Sequence, residues 1–237
     1  ALLNAGMGAL TFSLDGLKEN HNWLRNSEKI FDMVDYAIDL ASQTPRINFD
    51  VVTCVNQRNI GELPLIYDYL LKKNVKAWRL FTIAPIGRAV QNEELFLQPE
   101  QLKQLLEFIA EKRINSAMDV KFSCEGFVDS YETKVRDGYF FCRAGINIAS
   151  VLIDGSISAC PNINRSFVQG NIYDNNFQEV WGNRFQEMRV RDWAKIGKCK
   201  DCPDFNFCQG NGLHYWNEKR DEVLFCHKKH MENRETG

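Results

Sequence analysis

Apolar positions in the first half of the chain alternate between two spacings. From Ala9, "ALTFSLD" is an apolar run of strand length that closes in polar residues and Gly16, as expected of a strand buried in a parallel sheet. The polar stretch after it predicts a loop. "SEKIFDMVDYAIDLA" then places Ile30, Phe31, Val34, Ile38 and Ala41 at helical spacing, with Ser27 and Glu28 at its start. The alternation repeats. "INFDVVTCV" predicts a second strand, and "LPLIYDYLLKK" a helix with Pro64 in its first turn and lysines at its end. "KAWRLFTI" predicts a third strand, "APIGRA" a turn, and Leu102, Leu105, Leu106 and Ile109 the apolar face of a further helix. Alternating strands and helices predict a parallel sheet covered by helices.

After about Met118 the pattern changes to short strands, turns and scattered cysteines, which predicts a second domain, with the two domains at 1–117 and 118–237. "INIASVLIDGSISAC" reads as a hairpin turning at Asp154 and Gly155. "FQEVWGNRFQEMRV" reads as one helix. At the other end, "ALLNAG" resembles a helix end closed by glycine, so the chain is expected to begin in mid-fold.

Charge narrows the partners. The 29 basic and 31 acidic residues leave no positive excess for a nucleic-acid backbone or an anionic membrane. No apolar run approaches the roughly 20 residues that span a bilayer, and no signal peptide is evident, so the expectation is a soluble, cytoplasmic protein. Eight cysteines in a chain of 237 residues are not the disulfide framework of a small, core-poor domain. Cys54, in a predicted strand, reads as a small buried hydrophobe, while Cys142, Cys160, Cys199, Cys202, Cys208 and Cys226 crowd one region. That clustering points to metal. The local spacing Cys199-x2-Cys202-x5-Cys208, with Cys226 later, suits either tetrahedral zinc or a cubane iron–sulfur cluster.

The wider order is more informative: Cys142, twelve residues, Gly155, four residues, Cys160, then the Cys199 run and Cys226. It resembles the SPASM domain, the auxiliary iron–sulfur module of many radical S-adenosylmethionine (SAM) enzymes. "LTFSLDG", "VVTCVNQRNIGELPLIYDYL" and "WRLFTIAPIGRA" resemble the last three strand–helix units of the six-stranded partial barrel of those enzymes. The fold expected from the resemblance is α/β: the C-terminal half of a radical SAM partial TIM barrel, then a small cysteine-rich SPASM domain.

The resemblance also implies site residues. Cys199, Cys202, Cys208 and Cys226 match the complete ligand set of the second auxiliary cluster. Cys142 and Cys160 match the pair flanking the glycine hairpin of the first, but Gly212 stands where its fourth thiol belongs. Cys124 lies further upstream than the family spacing. That site is expected to have an open iron, to recruit Cys124 or His214, or to be absent. Ser13, at the end of its strand, is expected to contact the methionine or ribose of SAM, with Asp15 beside it on the barrel rim. Arg88 is expected to anchor a carboxylate or substrate backbone. No catalytic residue is assigned.

The Cys-x3-Cys-x2-Cys that binds the SAM-cleaving cluster does not occur in this sequence, so truncation is expected, with that [4Fe–4S] cluster in an upstream segment and one or two auxiliary clusters here. The function implied is that of a radical enzyme acting on a peptide or protein, with flavodoxin or ferredoxin as electron donor. Pro161 follows Cys160 where sulfatase-maturing relatives place an aspartate base, which lowers that particular reading. The rival is a non-catalytic interaction module with zinc at the Cys199 set.

Overall fold

A computed structural model describes residues 4–123 and 125–232. Cys124 and the first three residues of "ALLNAG" lie outside them; Asn4, Ala5 and Gly6 form a turn. Four strands, β1 (Ala9–Ser13), β2 (Asn48–Cys54), β3 (Ala77–Phe81) and β4 (Asp119–Phe122), form one sheet in sequential order. All three pairings are parallel, with Val51 opposite Trp78 and Trp78 opposite Val120. Parallel neighbours need crossovers. Helices supply them: α1 (Lys18–Arg25) and α2 (Ile30–Ser42) before β2, α3 (Leu63–Lys72) before β3, and α4 (Pro99–Asn115) before β4.

α2, α3 and α4 each bury one apolar face. Ile38, Ile66, Leu70, Leu105, Leu106 and Ile109 join Val51, Trp78, Leu80 and Val120 in a core closed to solvent. Trp78 can be wholly buried because its Nε1–H donates to Thr53 Oγ1 at 2.8 Å. The start of α4 is fixed by a reciprocal pair, the Gln98 and Gln101 side chains each bonding the other's backbone, with Pro99 in the first turn.

Two features differ from the sequence pattern here. The polar stretch after Gly16 holds α1 rather than a loop. Its residues are mostly polar because it sits on the surface, and His21 is its one buried side chain. The sheet also takes a fourth strand beyond residue 117. Four residues with alternating burial are too short to stand out from the loops around them.

A second, three-stranded antiparallel sheet follows: β5 (Ser150–Val151), β6 (Ser156–Ser158) and β7 (Gly170–Asn171). Its first turn places Gly155 at φ 80°, and Leu152 N–H donates to Ser156 O at 2.8 Å. The remaining helices are short: α5 (Glu132–Val135), α6 (Phe177–Asn183), α7 (Gln186–Arg189), α8 (Phe205–Cys208) and α9 (His227–Glu232). The single helix expected over "FQEVWGNRFQEMRV" is broken into α6 and α7. Phe185 leaves the helix to enter the core, fully buried against Trp181 at 5.3 Å between ring centroids. Ile157, Phe167, Met188, Leu213 and Trp216 complete this second core. Val135 of α5 and Met231 of α9 return to the first core, so the later half of the chain packs back onto the sheet. Among the described residues, no helix is long and apolar enough to cross a membrane.

Candidate metal centre

The cysteines of the late run are gathered by turns rather than by long elements. Cys199 ends a 3-10 turn whose N–H donates to Ile196 O at 2.9 Å, and Phe205 N–H then donates to Cys202 O at 3.2 Å. Cys208 closes α8, after which Gln209, Gly210 and Asn211 all take positive φ and reverse the chain. Cys226 comes in immediately before α9, its carbonyl accepting from His230 N–H at 2.9 Å. All four sulfur-bearing residues are half-buried against the second core and none is in a disulfide.

Electrostatics records their proximity. Burial pushes the Cys208 thiol up to about 12, with Cys226, Cys199 and Cys202 adding to the rise. Burial raises Cys199 as well, reinforced by Cys226 and Cys202, while Lys229 and Lys198 oppose it. Cys226 is raised by burial and by Cys202. Half-buried thiols that hinder one another's ionisation are a donor set that gains from a cation, because a metal stabilises all the thiolates together. Among the described residues, no three His, Cys, Asp or Glu side chains are arranged around a single metal ion. A cubane does not require that convergence, since each thiolate binds its own corner iron.

Cys142 and Cys160 form a second set. Cys142 is buried beside the hairpin, and Cys160 is raised by burial, with Cys142 contributing to the rise. Arg191 fixes this region from inside. Its guanidinium is buried and donates to Met188 O and Asn211 O, each at 3.0 Å, and to Cys142 O at 3.4 Å. The backbone at Asn211 is thereby held beside the backbone at Cys142. A cavity of about 130 Å³ lined by both Cys142 and Cys208 adjoins the two sets.

The sheet carries the other expected residues at the C-terminal ends of its strands. Ser13 ends β1 half-buried, and Arg88 is exposed in the turn after β3. Asp15 is wholly enclosed. Its Oδ1 accepts from Cys54 N–H at 2.8 Å and its Oδ2 from Arg25 Nε at 2.5 Å, so the carboxylate ties the strand ends together. The described contacts do not bring Ser13 or Arg88 to either thiol set. Cys54 remains a strand residue, its thiol raised to about 12 by burial and next by Asp15.

One polar group was not legible in the spacing. Glu125 Oε2 accepts from Tyr215 Oη at 2.5 Å and from Thr82 Oγ1 at 3.2 Å, and Thr82 Oγ1 also lies 3.2 Å from His227 Nε2. Burial raises Glu125 to about 7, against the hydrogen bonds of Tyr215 and Thr82 and the charge of Arg136. Burial lowers His227 to about 3. This group joins the end of β3 to the cysteine-rich half.

Residues 142–203 match the family SPASM, an iron–sulfur cluster-binding domain. The chain is also similar to the AdoMet-dependent heme synthase of Methanosarcina barkeri, with 24% identity over 87% of this chain and 62% of that protein. The chain carries a SPASM domain. The mycofactocin maturase MftC of Mycobacterium tuberculosis shares 23% identity over 84% of this SPASM-bearing chain and 51% of its own length. The chain therefore spans about half to three-fifths of these curated relatives. In structure, Streptococcus suis SuiB bound to S-adenosylmethionine superposes with a TM-score of 0.62 at 14% identity, covering 91% of this chain and 54% of that one. That likeness shows the fold: a parallel α/β sheet, followed by the cysteine-rich region in which residues 142–203 match SPASM.

Proposed function

We propose that this chain is the auxiliary-cluster-binding part of a radical SAM enzyme that modifies a peptide or protein. The observation that carries the reading is the match of residues 142–203, which include Cys142, Cys160, Cys199 and Cys202, to an iron–sulfur cluster-binding domain, with Cys208 and Cys226 packed against the same core. When bound, iron–sulfur clusters and SAM supply the one-electron and radical chemistry. The chain's own residues do the holding. Cys199, Cys202, Cys208 and Cys226 hold one cluster, and Cys142 and Cys160 contribute to another, with Cys124 as a further candidate. Packing against the core that holds Trp216, Phe205 and Leu213 leaves the Cys199 set half-buried, which limits water around the sulfurs. Ser13, at the C-terminal end of β1, is the candidate for contact with SAM, and Arg88, exposed after β3, the candidate for an anionic substrate group. A ferredoxin or flavodoxin is the class of donor such an enzyme takes. Zinc at the Cys199 set is not favoured, because the matched domain is an iron–sulfur one.

Likeness to mycofactocin maturase supports a peptidyl substrate. Likeness to AdoMet-dependent heme synthases and to an Fe-coproporphyrin III synthase, 23% identical over 89% of this chain, supports a second reading in which the substrate is a tetrapyrrole. Anaerobic reconstitution with iron and sulfide, followed by iron, sulfide and zinc analysis, tests the cluster. Zinc without sulfide overturns it. 5′-Deoxyadenosine release by the enzyme carrying its SAM-cleaving segment, with a peptide pool in one arm and Fe-coproporphyrin in the other, separates the two substrates.

A further inference from the structure

The cavity of about 130 Å³ beside the two thiol sets has a wall that metal ligation does not account for. Cys142 and Cys208 line it, but Cys160, Cys199, Cys202 and Cys226 do not, so it lies between the sets rather than inside either. The charged side chains in its wall, Arg189 and Arg191, are both cations. Phe140, Phe141, Ile146, Met188 and Phe207 supply the apolar part.

Both guanidinium groups are held in place, and neither meets an anion. Arg191 is buried and donates to Met188 O, Asn211 O and Cys142 O. Arg189 donates to Gly145 O at 2.9 Å, Gly182 O at 3.3 Å and Trp181 O at 2.6 Å, with its guanidinium carbon 5.0 Å from the centre of the Trp181 ring. Among the described residues, neither arginine forms an ion pair with a carboxylate. A guanidinium has more N–H donors than these carbonyls take up, and carbonyl dipoles offset only part of the cost of burying its charge. Two such cations on one wall favour an anion between them and the apolar side.

Size and mouth define what carries the anion. The volume is close to that of a cavity that holds one benzene molecule, roughly 150 Å³, and well below the roughly 300 Å³ or more that encloses a whole drug-sized ligand. Only a short arm of a larger molecule fits. Phe141 and Phe207 are exposed although they line the cavity, and Tyr139, also exposed, stacks on Phe207 with ring centroids 5.8 Å apart. Aromatic rings left in water around an opening form a contact surface for an apolar body.

We propose that this cavity binds a carboxylate on a short aliphatic arm, the group that an acidic peptide side chain and a tetrapyrrole propionate share, while the exposed rings meet the body that bears it. The inference rests on the substrate readings above for the identity of that body, and on the cavity alone for the carboxylate. Arg189 and Arg191 thus act in substrate selection.

The test is isothermal titration calorimetry on the full chain, in two arms. One compares a capped glutamate peptide with its glutamine counterpart, the other Fe-coproporphyrin III with its tetra-amide. In at least one arm the acid is expected to bind about tenfold more tightly than its neutral counterpart, the worth of one hydrogen bond to a charged group. The arm that shows it names the source. Arg189→Met should lose the preference, and Arg189→Lys, which keeps the charge, should retain most of it. Ile146→Trp, which fills the cavity and leaves both arginines in place, should lose it while keeping the wild-type melting temperature. Equal binding of acid and neutral ligand in both arms, or no binding in either, overturns the inference. So does a preference that survives Arg189→Met or Ile146→Trp. Repeating the titration after anaerobic reconstitution with iron and sulfide separates this inference from the cluster reading. A preference abolished by a bound cluster assigns the cavity to iron and overturns the inference, whereas a chain that takes up no cluster but keeps the preference overturns the cluster reading alone.

Discussion

Nδ1 of His21 accepts a 3.0 Å hydrogen bond from the backbone N–H of Asp15, and the pair is shut off from solvent. The bond sets the ring's tautomer, since the nitrogen that accepts carries no proton. α1 is thereby anchored to the end of β1, and the Asp15 carboxylate can face Arg25 and the Cys54 N–H.

Burial lowers the pKa of His21 below its ordinary value, against the raising effect of the Asp15 charge. A histidine held neutral when folded takes up a proton more readily when unfolded. Its contribution to stability is present above about pH 6.5 and is lost as the pH falls below that value, with a slope of up to about 1.4 kcal/mol per pH unit for one proton. Urea unfolding between pH 5 and pH 8 is expected to show a shallower acid slope for His21→Gln than for the wild type. Equal slopes would show that His21 is not the group titrating.

Asp15→Ala removes two hydrogen-bond acceptors from a closed site and leaves the Cys54 N–H and Arg25 without them. The expected loss is about 3 kcal/mol. Asp15→Asn retains an acceptor oxygen but not the charge and is expected to fall between. Thermal unfolding of the three proteins checks this. A change below roughly 0.5 kcal/mol in Asp15→Ala would place the residue outside the stabilising frame.

The bond from Tyr215 to Glu125 crosses from the cysteine-rich half to the segment after β4. Tyr215→Phe is expected to cost about 2 kcal/mol, because the buried carboxyl loses its shortest donor. In a double-mutant cycle with Glu125→Gln, the coupling energy is expected to reach about 1 kcal/mol or more. A value near zero would mean that the two halves are held by apolar packing alone.

Cys202→Ala is expected to remove the cluster of the Cys199 set and to destabilise the cysteine-rich half of the reconstituted protein by about 3 kcal/mol, read as a Tm lower by roughly 6–12 °C. Without iron the two proteins should melt alike. Iron content equal to that of the wild type would argue against this ligand.

Gly155 turns the hairpin at φ 80°, and a Cβ there would stand 2.7 Å from Asn171 Oδ1 and from the Tyr173 ring. Gly155→Ala combines backbone strain with a clash and is expected to cost about 2 kcal/mol or more. The same substitution at Gly61, with open space around it and an ordinary φ, is the control and should change stability little. Equal melting of the two variants would contradict the turn geometry.

The sequence by itself determined the elements whose signals are local. Runs such as "INFDVVTCV" are apolar because both faces of a parallel strand are covered, and helices such as α4 keep one apolar stripe for the same sheet. Cysteine order was legible because ligand spacing is covalent, carried along the chain before any folding. Tertiary structure decided what depends on partners distant in sequence. The polar α1 is held by the contacts of His21 with a strand end, and the short β4 by its register against β3. The long helix expected in the second half is cut where Phe185 leaves it for a core that the local pattern does not show. Asp15 looked like a rim residue because it ends a strand, and only the approach of Arg25 and Cys54 encloses it. Glu125 and Tyr215 stand 90 residues apart, and the ring of His214 folds back over Gly212. A spacing rule sees neighbours along the chain; desolvation and crowding are set by neighbours in space.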